Sequence, residues 1–177
     1  MAHYAVSAIG RDRPGITAGL TEALLELDAN IEDSRMTILR GHFAVMLVVS
    51  IPGDRDPASV EERMAEAADE LGLEALSASP IDELDDAAAD PSLVISVYGA
   101  DHPGIVHAVT TTLAERGANI TDLQTQLAGS EDEPLYMMLL EVAPGEGTVE
   151  QIEQDLSEVA ERAQVEISVR PLEVEAL

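Results

Sequence analysis

The chain contains no lysine, no cysteine and no tryptophan. Without cysteine it forms no disulfide and offers no thiolate, and redox usage says nothing about compartment. Without lysine it has no candidate for Schiff-base chemistry or for the basic residue of a Walker loop. Aromatic residues make up 2% of the sequence, so the core must be built from Val, Leu, Ile, Ala and Met. The stacking platforms that single-stranded nucleic acids need are missing as well. The nine basic residues are all arginines, against 35 acids, giving a formal charge of −26. Such a surface repels phosphate backbones, whose binding depends on Lys and Arg displacing counter-ions, and it repels anionic membranes. Neither direct DNA contact nor a membrane partner is expected.

No apolar run approaches the ~20 residues of a membrane helix. The opening "MAHYAVSAIG" lacks the basic-then-apolar pattern of a signal peptide. The expected location is the cytoplasm. Self-repulsion among the acids favours solubility. Together with the missing lysine and the small apolar residues, it reads as adaptation to a salt-rich cytoplasm, where a short Debye length screens the repulsion. Thermal stability should then rise with molar salt.

What is present is a repeat. "GRDRPGITAG" (10–19) returns as "GADHPGIVHA" (99–108) at a step of 89, and the step continues through Leu24/Leu113, Glu26/Glu115, Ala29-Asn30-Ile31/Ala118-Asn119-Ile120 and Asp33/Asp122. "MLVVSIPGD" (46–54) resembles "MLLEVAPGE" (138–146) at a step of 92, with the extra residues placed in the polar tip 128–134. This is an internal duplication.

Each copy reads β-α-β-β-α-β. Opening strands are expected at 4–9 and 93–98, second strands at 31–39 and 120–127, and final strands at 74–79 and 165–170. Pro14 and Pro103 suit first helical turns, with Asp12 and Asp101 placed to accept from free helix N–H groups. Helical stripes run Ile16, Leu20, Leu24, Leu27 and Ile105, Val109, Leu113; Asp28 and Gly117 fall near the C-caps. Second helices are expected after Ser59 and Thr148 as N-caps, with stripes Val60, Met64, Ala67, Leu71 and Val149, Ile152, Leu156, Val159. The third strands, "FAVMLVVSI" and "LYMMLLEVA", are apolar on both faces, which predicts a central place with cover on both sides. Met46, Met137 and Met138 are expected as core filler.

The predicted class is α+β: two ferredoxin-like plaits in tandem, antiparallel sheets with helices on one face. Residues 1–80 form the first domain, 81–91 an acidic linker and 92–177 the second. The bare sheet faces should meet the other copy or a second chain, so a pseudo-twofold tandem, further dimerised, is expected.

With the G-x-D-x-P-G-I loop after strand one, the A-N-I start of strand two and the βαββαβ order, each copy resembles an ACT domain, over residues 3–80 and 92–172. Two such units without a catalytic domain resemble the glycine cleavage system transcriptional repressor family. "RDRPGI" also resembles the ACT segment of formyltetrahydrofolate deformylase, whose hydrolase domain this chain has no room for. The resemblance implies a regulatory module that binds an amino acid or similar metabolite where the loop and first helix N-terminus of one unit approach strand two of a neighbour. By position, the implied ligand-binding residues are Asp12, Arg13, Pro14, Gly15, Ile16, Asn30, Ile31 and Asp33, with Asp101, His102, Pro103, Gly104, Ile105, Asn119, Ile120 and Asp122. Helix N–H groups would receive a carboxylate, the Asn amides offer donor and acceptor together, and Asp12 or Asp101 could pair with an ammonium. Arg13 could hold a carboxylate bidentately, whereas His102 depends on pH; with Glu32 replaced by Thr121, the two pockets should differ. Against this, Asp-x-Pro-Gly is also a good turn-and-cap sequence.

Other chemistry finds little support. His102 and His107 lack the i, i+4 spacing of a helical metal pair; His107 reads as an exposed helix residue, and His3 and His42 show no partner. The linker acids Asp82, Glu83, Asp85, Asp86 and Asp90 lack a calcium-loop pattern. No nucleophile elbow, Walker or Rossmann fingerprint is present, and no cofactor, metal or catalytic residue is expected. The reading is a non-enzymatic sensor acting through a transcription factor or enzyme partner, in glycine cleavage or one-carbon metabolism. The alternatives are a ligand-free interaction module, with bulky side chains filling the space beside Gly15 and Gly104, and a detached regulatory subunit of a biosynthetic enzyme.

Overall fold

The computed structural model describes residues 1–53, 55–82, 84, 90–130, 134–145 and 148–172. The chain divides into two compact units, residues 1–86 and 87–177. The first runs β1 (Ala2–Arg11), α1 (Ile16–Glu26), β2 (Asn30–Leu39), β3 (His42–Ile51), α2 (Pro57–Glu70) and β4 (Ala75–Ile81). The second runs β5 (Leu93–Ala100), α3 (Ile105–Glu115), β6 (Asn119–Gly129), β7 (Pro134–Ala143), α4 (Val149–Ala163) and β8 (Val165–Pro171). Each is a βαββαβ plait with one antiparallel sheet, ordered β2-β3-β1-β4 and β6-β7-β5-β8. Of the linker acids, Glu83, Asp85 and Asp86 lie outside the described residues, as does the hairpin tip 131–133.

The third strands take the interior position that their composition predicts, but helices cover only one face. Phe43, Val45, Leu47, Val49 and Ile51 alternate into a core with Ile16, Leu20 and Leu24 of α1 and Val60, Met64 and Ala67 of α2. Tyr136, Met138, Leu140 and Val142 do the same against Ile105, Val109, Leu113, Ile152, Leu156 and Val159. Burying each such aliphatic side chain is worth about 1.5–3 kcal/mol. Of the three strand methionines only Met138 is core; Met46 is 57% exposed and Met137 half-buried, because the pleat sends alternate residues to the helix-free face.

The strand register corrects the sequence alignment. Ala8 faces Val45 and its counterpart Val97 faces Met138; Val6 faces Leu47 and Ile95 faces Leu140. The third strands are therefore related by a step of 93, one more than the methionine match suggests. A slip of one residue would exchange the buried and open faces, which is why Met46 and Met138 do not correspond.

The helix starts separate into two kinds. On α2, Asp56 caps the Ala58 N–H with Pro57 at the first helical position, so Ser59 is not the cap; its hydroxyl donates back to the Asp56 carbonyl. On α4, Thr148 caps as expected and completes a capping box with Gln151. α1 and α3 begin at Ile16 and Ile105, preceded by Gly15 and Gly104 as N-caps with no side-chain cap bond. Pro14 and Pro103 thus lie before the helices rather than in their first turns, and Asp12 and Asp101 do not cap. Ion pairs tie each helix pair together with opposite polarity: Arg63 of α2 reaches Glu26 of α1 at 2.6 Å, while Arg116, closing α3, reaches Asp155 of α4 at 2.5 Å.

Candidate functional site

The two repeated glycines of the loop serve different ends. A side chain at Gly10 would meet Leu73, and one at Gly99 would press on Val165, so these positions let β1 and β5 pass close to the chain that leads into or begins the last strand. Gly15 and Gly104 instead have φ of 97° and 101°, a left-handed conformation that follows proline in a type II turn and that L side chains avoid. Nothing lies within 4 Å of where a Cβ would stand on either. The space beside both is open, contrary to what a filled interaction module predicts.

These turns leave the first N–H groups of α1 and α3 without a side-chain acceptor. The first in-helix bonds run from Gly19 to the Gly15 carbonyl and from Ala108 to the Gly104 carbonyl, both 2.9 Å. The donors of the turn before them face outward at the positive end of the helix dipole. Ile16 and Ile105 are 3% and 2% exposed. Their side chains belong to the core, so only their backbone can serve a ligand.

The side chains at the varying loop position point elsewhere. Arg13 donates to the Leu71 carbonyl at the end of α2, and His102 Nε2 lies 2.6 Å from the Ala163 carbonyl at the end of α4. Each fastens the loop to the negative end of the unit's second helix, and Arg13 does not present its fork to the open space. His102 Nδ1 also faces the Pro103 carbonyl at 3.3 Å. Two acceptors call for two N–H groups, which only the imidazolium has. The Ala163 carbonyl, then that of Pro103, with the Asp101 charge adding to them, accordingly raise the His102 pKa above its ordinary value.

Strand two carries the other half of the implied site. Both copies have a bulge there, between Ile31 and Asp33 and between Ile120 and Asp122. Asn30 pairs with Ser50 and Asp33 with Val48, so the bulge puts both polar residues on the helix-free face; Asn119 and Asp122 follow suit opposite Ala143 and Glu141. Asp33 accepts from the Ser34 N–H at 2.7 Å, and Asp122 from Gln124 at 3.0 Å. Asn30 and Ile31 also border a shallow groove against Ala18, Thr21, Glu22 and Leu25 of α1. His3, which showed no partner in sequence, lies 3.6 Å from Glu32 at the bulge.

Within one unit the two halves do not meet. Arg11, at the loop end of β1, is level with His42, whereas Asn30 is level with Ser50. The stretch of β3 between those levels spans roughly 25 Å. The loop's neighbours within the unit are residues that sequence reasoning missed. Gly41 accepts from the Asp12 N–H at 2.9 Å, Met36 Sδ receives the Thr17 hydroxyl, and Leu71 and Ala163 anchor the varying side chains. Only the βαββαβ topology, which returns the β2–β3 turn to the loop's end of the sheet, could have signalled Gly41. Among the described residues no group of three or more His, Asp or Glu is placed to hold a metal ion, and no helix is long and apolar enough to cross a membrane.

The chain matches the ACT domain family over residues 3–76 and 92–170. It is similar to a UPF0237 protein of Methanopyrus kandleri, 39% identical over 77 residues that cover 43% of this chain and 86% of the relative. Among solved structures, a protein of Galdieria sulphuraria aligns over 97% of this chain and 98% of its own, with a TM-score of 0.80 and 31% identity. A protein described as a glycine cleavage system transcriptional repressor aligns over 98% of both chains with a TM-score of 0.73, and its 18% identity shows the shared fold. Two plaits, each opening on an uncapped helix behind a left-handed glycine, and a family match spanning both copies lead to one statement: the chain belongs to the ACT domain family, a family of regulatory modules, as a tandem of two units.

Proposed function

We propose that the chain is a non-catalytic sensor of an amino acid or a closely related metabolite. The loop Asp12–Ile16, and its counterpart Asp101–Ile105, receive the ligand's carboxylate on backbone N–H groups. The observation that carries this reading is a contrast inside one chain: α2 and α4 are capped by their own side chains, while α1 and α3 are left uncapped beside open space. Asn30 and Asp33, or Asn119 and Asp122, supply the pole that holds the ammonium. Since roughly 20–25 Å separates them from the loop of their own unit, they act on a ligand held by a second copy of the chain. A homodimer is thus part of the reading.

The output passes to a protein partner, a transcription factor or an enzyme, since a charge of −26 opposes contact with DNA. Control of glycine cleavage or one-carbon metabolism is the process that the structural resemblance favours, and the cytoplasm is the location.

Titration calorimetry of the full chain against the twenty amino acids, at low and at molar salt, tests the reading. Saturable heat that disappears in Asn30→Ala or Asn119→Ala supports it. Silence from all twenty in both salts removes it.

A further inference from the structure

In a chain with 35 acids, an arginine without a carboxylate calls for a reason. Arg55, Arg63 and Arg116 pair with acids, Arg13 and Arg162 donate to carbonyls, and Arg35 has a partner. Among the described residues that leaves Arg11, Arg40 and Arg170. Two of these three lie at the same end of the first unit's sheet. Arg11 ends β1 directly across from His42, on the same face of the sheet. Arg40 sits in the β2–β3 turn with φ of 50°, two residues from His42. The same turn is bonded to the candidate loop through Gly41 and Asp12. Arg11, Arg40 and His42 are all exposed, and Asp12 is the one carboxylate on the loop between Gly10 and Ile16.

The duplication supplies an internal control. The strand register places Ala100, Gly129 and Leu135 where the first unit has Arg11, Arg40 and His42. The plait forms there without any of these groups, so folding does not require them. Like charges gathered at one end of a sheet do not stabilise it, and a planar guanidinium suits a carboxylate or phosphate.

We propose that the loop end of the first unit binds the second acidic group of a doubly anionic ligand, an amino acid or metabolite carrying a carboxylate or phosphate beyond its α-carboxylate. Arg11 and Arg40 make the contact, with His42 as an added donor. This specifies the ligand class of the sensor reading and rests on it for the position of the α-carboxylate.

The test is calorimetry of the full chain with isosteric pairs, aspartate against asparagine and glutamate against glutamine, and with inorganic phosphate alone. The proteins are wild type, Arg11→Gln/Arg40→Gln, and Arg170→Gln as a control that removes one exposed arginine of the second unit. The expected result is that one acid binds at least about tenfold more tightly than its amide. The double variant abolishes that preference while keeping the amide's affinity, and the control leaves it intact. Saturable phosphate binding lost in the double variant assigns the phosphate arm; preference for the amino-acid carboxylate without phosphate binding assigns the carboxylate arm. Equal affinity for acid and amide with no phosphate binding overturns the proposal and leaves the sensor standing. Arginine-dependent phosphate binding with no amino acid bound removes the sensor and keeps the anion site. Silence from every probe removes both. All three side chains are exposed, so matching thermal melts establish that the variants fold.

Discussion

His102 in the second unit occupies the place that Arg13 holds in the first: its Nε2 lies 2.6 Å from the Ala163 carbonyl, where Arg13 donates to that of Leu71. One clasp is a permanent cation and the other titrates. The folded pKa of His102 is raised, so its bound proton stabilises the folded unit. That contribution is complete below the unfolded value, about 6.5, and is lost as pH rises through the folded value. His102→Arg should make the second unit's stability flatter with pH over that window. Amide hydrogen exchange of β8 and α4 at pH 5.5 and 8 reads the difference, and an unchanged pH profile in the variant would show that the clasp contributes nothing.

The four loop glycines should respond in two ways. Gly15→Ala and Gly104→Ala add a methyl to open space but force a left-handed φ on an L residue, costing about 1–2 kcal/mol each. The two costs should agree, since the geometries do. Gly99→Ala should cost about 1–3 kcal/mol by overpacking, and more than Gly10→Ala. The nearest atoms at Gly99 include Val165 backbone at 3.1 Å, while at Gly10 the closest is the movable end of the Leu73 side chain at 3.0 Å. Urea melts of the four variants give the ranking; equal effects at Gly10 and Gly99 would contradict it.

Capping offers a direct check on the helix boundaries. Thr148→Ala removes a completed capping box and Asp56→Ala a single cap bond, each costing about 1 kcal/mol. Ser59→Ala should leave stability within about 0.5 kcal/mol of wild type, as for surface changes away from a cap. Denaturant midpoints decide it, and a loss at Ser59 as large as at Asp56 would move the boundary.

The order of strands and helices was legible because each element carries its own period. Val60, Met64 and Ala67, or Ile152, Leu156 and Val159, name a buried helical stripe without help from the rest of the chain. The duplicated loop was legible too, as a motif. What the loop residues touch was not. Arg13 reads as a ligand clamp until Leu71, distant in sequence, is brought under it by the packing of α2. Asp12 reads as a cap until the left-handed Gly15 turns the chain first. Met46 reads as core because composition does not reveal which phase of an all-apolar strand faces inward; the register of its partners does.

The bulge in β2 and β6 has a further consequence. The extra residue is accommodated without changing parity across it: deleting Glu32 or Thr121 would restore plain alternation and leave Asn30 and Asp33, or Asn119 and Asp122, two positions apart and still on one side of the sheet. The strand would keep both its partners and the shared orientation of its two polar side chains, and lose only the local kink. Removing a single codon thus separates the bend of the edge strand from the amide and carboxylate that it carries.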